Sequence, residues 1–144
     1  MQKVIILFLI SFSLFSCSTP ETQNDFDLND IQNAVKIKVV DKVMETRDSL
    51  IFLKTKYLLI SKFRAHIFSF YADYICIDSL GHKLYSGNVK FNQAILPGQS
   101  VEYWGEVCKD ETMISGLDTV IMNYPLNKLS YTFKVTEVDT VNRK

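Results

Sequence analysis

The chain has 144 residues, 16 of them basic and 16 acidic, so its formal charge is zero and no concentrated basic surface marks a nucleic-acid binder. Hydrophobic residues make up 47% and aromatic ones 12%, against only 5 Gly and 3 Pro, which excludes a disordered chain and points to a packed core. The length suits one domain and is too short for two ordinary ones.

Residues 1–16 read as an export signal: Lys3 supplies the positive end, residues 4–15 the apolar run, and Ser16-Cys17-Ser18 the exit. A helix crossing a bilayer needs about 20 apolar residues, so this run is too short to span. The order Leu14-Phe15-Ser16-Cys17 resembles the lipobox of bacterial lipoproteins. That resemblance implies cleavage before Cys17, acyl chains on its sulfur, and an anchor made permanent by two or three such chains. Loss of Lys3 leaves 16 − 1 = 15 basic residues against 16 acidic ones. Ser18 directly after the anchor, where an Asp would favour retention at the inner membrane, directs such a protein to the outer membrane. A plain secretory signal followed by an unrelated cysteine is the rival reading.

Residues 17–33 are polar and without periodicity, and are expected to form a flexible tether before a domain over 34–144. Val35, Ile37 and Val39 alternate with Lys36 and Lys38, the period-two pattern of a half-buried strand. Residues 50–60 predict a second strand, and 74–78 a third with Ile75 and Ile77 facing inward. Asp78-Ser79-Leu80-Gly81 turns the chain, and 82–95 returns it. After Leu96-Pro97-Gly98-Gln99-Ser100, a strand carries Val101, Tyr103 and Val107, with Gly105 as a bulge. Residues 119–124 and 129–138 supply the last two strands. Over 61–73 a helix competes, because Ile60, Phe63, Ile67, Tyr71 and Tyr74 also fall at helical spacing. The density of aromatic and branched residues favours a loop followed by a long strand. About seven short strands separated by turns predict an all-β, immunoglobulin-like sandwich, with an α+β fold as the alternative if 61–73 is helical.

The turn chemistry also resembles a family. Residues 74–78, Gly81, and Leu96-Pro97-Gly98-Gln99-Ser100 before Val101-Glu102-Tyr103 are similar to the FxLYD-type domain of bacterial envelope proteins. The resemblance spans about residues 35–103 and implies an immunoglobulin-like fold with no known catalytic residues.

With Cys17 lipidated, Cys76 and Cys108 remain as an even pair in an oxidising compartment, a candidate disulfide or two separate thiols off the core. His82 sits in a turn, where a solvated side chain is expected, and His66 has no Cys, Asp or Glu partner at metal-ligand spacing, so no metal and no cofactor is expected. Asp25, Asp27 and Asp30 lack the Gly and terminal Glu of a calcium loop. Tyr103 and Trp104 are candidates for an exposed glycan- or protein-binding platform, against the plainer reading of one ring in the core and one on a sheet face. Asp48-Ser49-Leu50, Asp78-Ser79-Leu80, Asp118-Thr119-Val120 and Asp139-Thr140-Val141 repeat one pattern. It resembles the acceptor of a periplasmic O-glycosylation system, with Ser49, Ser79, Thr119 and Thr140 as acceptors. The same residues also suit ordinary turns.

The expected function is a lipid-anchored, non-enzymatic envelope protein. Its partners would be the membrane through the N-terminal lipid and another envelope protein or a glycan, and not nucleic acid. The alternative is an accessory glycan-binding lipoprotein of a polysaccharide-uptake system. An enzyme would require a cleft bringing His66 to Asp73 or another carboxylate.

Overall fold

A computed structural model describes residues 27–140, with the side chain of Thr140 excepted. The signal, Cys17 and most of the expected tether lie outside the described residues. The expected tether does not run to residue 33, because a helix, α1 (Leu28–Ala34), occupies that end. Asp27 caps it, its carboxylate accepting from the Asn29 amide, so this Asp serves a helix start. Seven residues are too few for a helix to persist alone. Ile31, 1% exposed, holds it to the core. Gln32 reaches the free edge of the last strand, donating to the Phe133 carbonyl and accepting from the Val135 amide. Leu28, Ile31 and Ala34 fall at helical spacing, but two turns among Asn, Asp and Gln are too short to stand out from a polar linker.

Six strands follow: β1 (Val35–Arg47), β2 (Leu50–Ser61), β3 (Ile67–Asp78), β4 (Lys83–Phe91), β5 (Ser100–Asp110) and β6 (Leu129–Thr140). They form two antiparallel sheets ordered β1-β2-β5 and β4-β3-β6. Lettered A, B, C, C′, E and F along the chain, this is the A-B-E and C′-C-F order of an immunoglobulin-like sandwich.

The expected strand at 119–124 is instead part of a helix, α2 (Gly116–Asn123). Ser115 and Asp118 form a capping box, the Ser115 hydroxyl accepting from the Asp118 amide and the Asp118 carboxylate accepting from the Ser115 amide. The rival helix over 61–73 does not form. Phe63 is buried from a loop, Ile67 opens β3, and Ile67, Phe70 and Ala72 bury their side chains from the strand. The return strand stops at Phe91 rather than 95, and Ile95 then exchanges two backbone hydrogen bonds with Ile67, of 2.8 and 3.1 Å.

Parity in β3 is opposite to the expectation. Ile75 is 44% exposed, while Tyr74 and Cys76 turn inward. A one-residue change of register exchanges the two faces of a strand, and burying the Tyr74 ring against Tyr85, Tyr131 and Phe133 decides which face wins. The tight core lies where α1 meets the sandwich. Ile31, Leu59, Ile67, Phe70, Phe91 and Ile95 are all at most 1% exposed, with Phe70 stacked on Phe91 at 4.6 Å.

Candidate functional site

Away from α1, tyrosines replace the aliphatic and Phe core, and the sheets stand apart around a cavity of about 340 Å³. Tyr57 of β2, Tyr74 of β3, Tyr85 of β4, Tyr103 of β5 and Tyr131 of β6 line it, with Leu53, Val107, Ile121 and Met122. Two glycines make room for these rings. A Cβ on Gly87 would stand 3.1 Å from the Tyr74 hydroxyl oxygen, and one on Gly105 would stand 3.1 Å from the Tyr57 ring. Gly105 is therefore no bulge: the β2–β5 ladder runs through it without a register shift.

In this sheet the register shift lies in β1 instead, between Val39 and Asp41. It moves Lys42 into register with Thr55, on the inner face, whereas Lys36 and Lys38 pair with Ile60 and Leu58 on the outer one. From there the Lys42 ammonium donates to the carbonyls of Met122 at 2.7 Å and Tyr124 at 2.5 Å, at the C-terminal end of α2. A cation there also meets the negative end of the helix dipole. At the other end of α2, Lys109 of β5 donates to the Asp118 carboxylate. Two lysines, one from each edge strand of a sheet, thus clasp α2 over the cavity.

Burial sets the protonation chemistry of the lining. It lowers the Lys42 ammonium below the ordinary lysine value, opposed by Cys76 and Asp41. It pushes the Tyr57 hydroxyl up to about 12, and those of Tyr74 and Tyr131 upward as well. The phenols therefore stay neutral, both donor and acceptor, at physiological pH. Burial raises the Cys76 thiol too, against the opposing hydrogen bond of Tyr131 and the charge of Lys42. For Asp118, partial burial pushes upward, but Lys109 and Ser115 pull harder and leave its carboxyl below the usual range.

The residues singled out from sequence are scattered. Tyr103 and Trp104, adjacent in β5, point to opposite faces of the sheet, so they form no common platform. Tyr103 packs on Phe91 and donates its hydroxyl to the Lys90 carbonyl at 3.2 Å. Trp104 lies outside, 44% exposed, with the ammonium groups of Lys54 and Lys56 at 5.9 and 5.8 Å from its ring centre. Around it Arg47 pairs with Glu106 and Lys56 with Glu102, solvent-exposed pairs worth little each. Cys76 and Cys108 are unpaired thiols: Cys76 is buried between the sheets and Cys108 is exposed on the outer face of the other sheet, opposite Phe52. Cys76 is thus in the core rather than off it.

Ser49 and Ser79 are exposed in hairpin turns. Thr119 is half-buried in α2, its hydroxyl donating to the Ser115 carbonyl. Thr140 ends β6. Asp78 organises its turn, its carboxylate accepting from the Leu80 and His82 amides and pairing with the exposed His82 ring at 3.0 Å. His66 and Asp73 are not brought together: 73 − 66 = 7 residues of nearly straight chain separate them, about 20 Å. Among the described residues, no group of three His, Cys, Asp or Glu side chains is arranged to hold a metal ion, and no helix is long and apolar enough to cross a membrane. The sequence pointed to only one ring of the cavity, Tyr103. The shared inward parity of five tyrosines was its only signal, and this requires the strand register to be known.

No protein-family model matches the chain, and no curated protein is similar to it. Among solved structures, a Northeast Structural Genomics Consortium target, SoR45, is similar at 12% identity with a TM-score of 0.34. The match covers 55% of this chain and 65% of that one, so the chain spans less than two thirds of its length.

Proposed function

We propose that this protein is a lipid-anchored component of a bacterial cell envelope whose sandwich domain binds rather than transforms its ligand. The anchor is read from Leu14-Phe15-Ser16-Cys17, with residues 1–16 removed and Cys17 carrying the lipid. Ser18 supports outer-membrane placement, and the turns at Gly81 and at Pro97-Gly98-Gln99 support likeness to the FxLYD-type domain.

The observation that carries the binding role is the cavity between the sheets, partly covered by α2. Its charged groups serve structure: Lys109, Asp118 and Ser115 hold the start of α2, and Lys42 holds its end. The Cys76 thiol is shifted away from the thiolate that a nucleophile needs. Intact mass of the protein from its own host's membranes tests the anchor. The expected mass starts at Cys17 with added acyl chains, and hexose-type increments would point to the Asp-Ser/Thr sites at Ser49, Ser79, Thr119 and Thr140. A mass with Cys17 unmodified would overturn the anchor.

A second reading, an accessory glycan-binding lipoprotein, now rests on Trp104 without Tyr103. Sugar stacking on this ring would have to displace Lys54 or Lys56 from it. Glycan-array binding lost in Trp104→Ala would establish that reading, and absence of binding would remove it.

A further inference from the structure

We propose that the inter-sheet cavity binds a small amphiphile with an apolar body and one anionic head, the body lying among the tyrosine rings and the head meeting Lys42. The proposal rests on reading the domain as a binding module and adds the chemical class of its ligand. Size comes first. A volume of about 340 Å³ is at the lower end of ligand pockets. At water's share of about 30 Å³ per heavy atom, it holds about eleven non-hydrogen atoms. A chain or ring system of eight to ten carbons with a carboxylate is of that order.

Charge selects the head group. The β1 bulge places an ammonium on the inner face, beside Thr55 and the Lys109–Asp118 pair, among tyrosine and aliphatic side chains. Two of its three donors go to the Met122 and Tyr124 carbonyls, and no described group takes the third. Of the carboxylates nearby, Asp41 accepts from the Lys42 backbone amide and adds a favourable charge at Lys42, and the other two are committed elsewhere. Asp118 is held by Lys109 and Ser115, and Glu106 turns to the outer face towards Arg47 and Lys54. A bound anion would favour the charged form of Lys42, which burial disfavours. Five aromatic rings around a cavity also suit a quaternary ammonium ion, but the Lys42 ammonium on the same lining repels a cation, the charge of Lys109 being matched by Asp118. A sugar would find partners in the tyrosine hydroxyls and Thr55, but a cavity of this size would also press its hydroxyls against Leu53, Val107 and Met122.

Three probes with one tail and different heads decide the matter: octanoate, 1-octanol and octyltrimethylammonium. The full chain is used, in lipid nanodiscs if its mass shows acyl chains and free in buffer if it does not, so failure of the anchor and failure of the ligand class are read separately. Methyl NMR of the methionines gives the site, since Met122 lines the cavity and Met44 and Met113 do not. Octanoate is expected to shift the Met122 signal saturably at about tenfold lower concentration than octanol, as one charge-assisted hydrogen bond predicts. Lys42→Met should erase that difference, and Ile121→Trp, which fills the cavity from α2, should abolish the Met122 response to all three probes. Equal response to octanol and octanoate, a stronger response to octyltrimethylammonium, or no saturable Met122 shift would each overturn the proposal. Should Lys42→Met release α2 and unfold the domain, the head-group series on the native chain still decides.

Discussion

At the scale of single residues, the inner face is a fitted set of large rings and absent side chains. Gly105 faces the Tyr57 ring, which is 6% exposed and packed edge-on to Phe91 at 5.0 Å. A methyl group there forces a buried ring to move, so Gly105→Ala is expected to destabilise by about 1–2 kcal/mol in urea unfolding, despite the alanine's better strand entropy. Gly87→Ala meets the far end of Tyr74 and should cost less. A neutral Gly105→Ala would mean the ring has room to yield. The thiols provide a second check at this scale. Cys108 should react with a thiol reagent in the native protein, Cys76 only after unfolding, and reduction should leave the mass unchanged. A gain of two protons on reduction would refute the unpaired assignment. Trp104 shows how little residue type says about position: its neighbour Tyr103 is equally aromatic, and strand alternation alone sends the two to opposite sides.

At the scale of elements, α2 is the part whose existence depends on its contacts. Its eight residues include none that is buried, so the capping box and two lysine clasps carry most of its stability. The Asp118 carboxyl is held below its unfolded value, so its contribution is fully present above the unfolded pKa, about 3.9, and is lost as pH falls through the folded value. Amide exchange in 116–123 should therefore accelerate below about pH 4, ahead of the sheets, and Asp118→Asn should bring that loosening to neutral pH. Exchange in α2 that tracks the sheets at every pH would show the clasp to be dispensable. The helix was legible in Ser115-x-x-Asp118, but branched Thr119, Val120 and Ile121 pointed equally to a strand. The contest is settled by Lys42 and Lys109, which come from strands 80 and 9 residues away from their partners.

At the scale of the whole molecule, the sandwich is packed at one end and hollow at the other, and α1 closes the packed end. Ile31→Ala removes a fully buried side chain and should cost about 2–4 kcal/mol, read from the midpoint of urea unfolding without a change in slope. A cost below 1 kcal/mol would show that α1 is an ornament on a sandwich that stands without it. By itself, the sequence determined the β class, the hairpin at Asp78 to His82, the break at Pro97, and the strand rather than helix after residue 66. Those depend on period-two patterning, turn residues and branched side chains, all of which act within a few positions. Tertiary structure decided the rest: which face of β3 is buried, that α1 docks through Ile31 and Gln32, that Cys76 and Cys108 stand apart, and that five tyrosines and Lys42 share one cavity. The physical reason is parity. A single-residue bulge or register choice exchanges the faces of a strand, and only the packing of one sheet on the other selects between them.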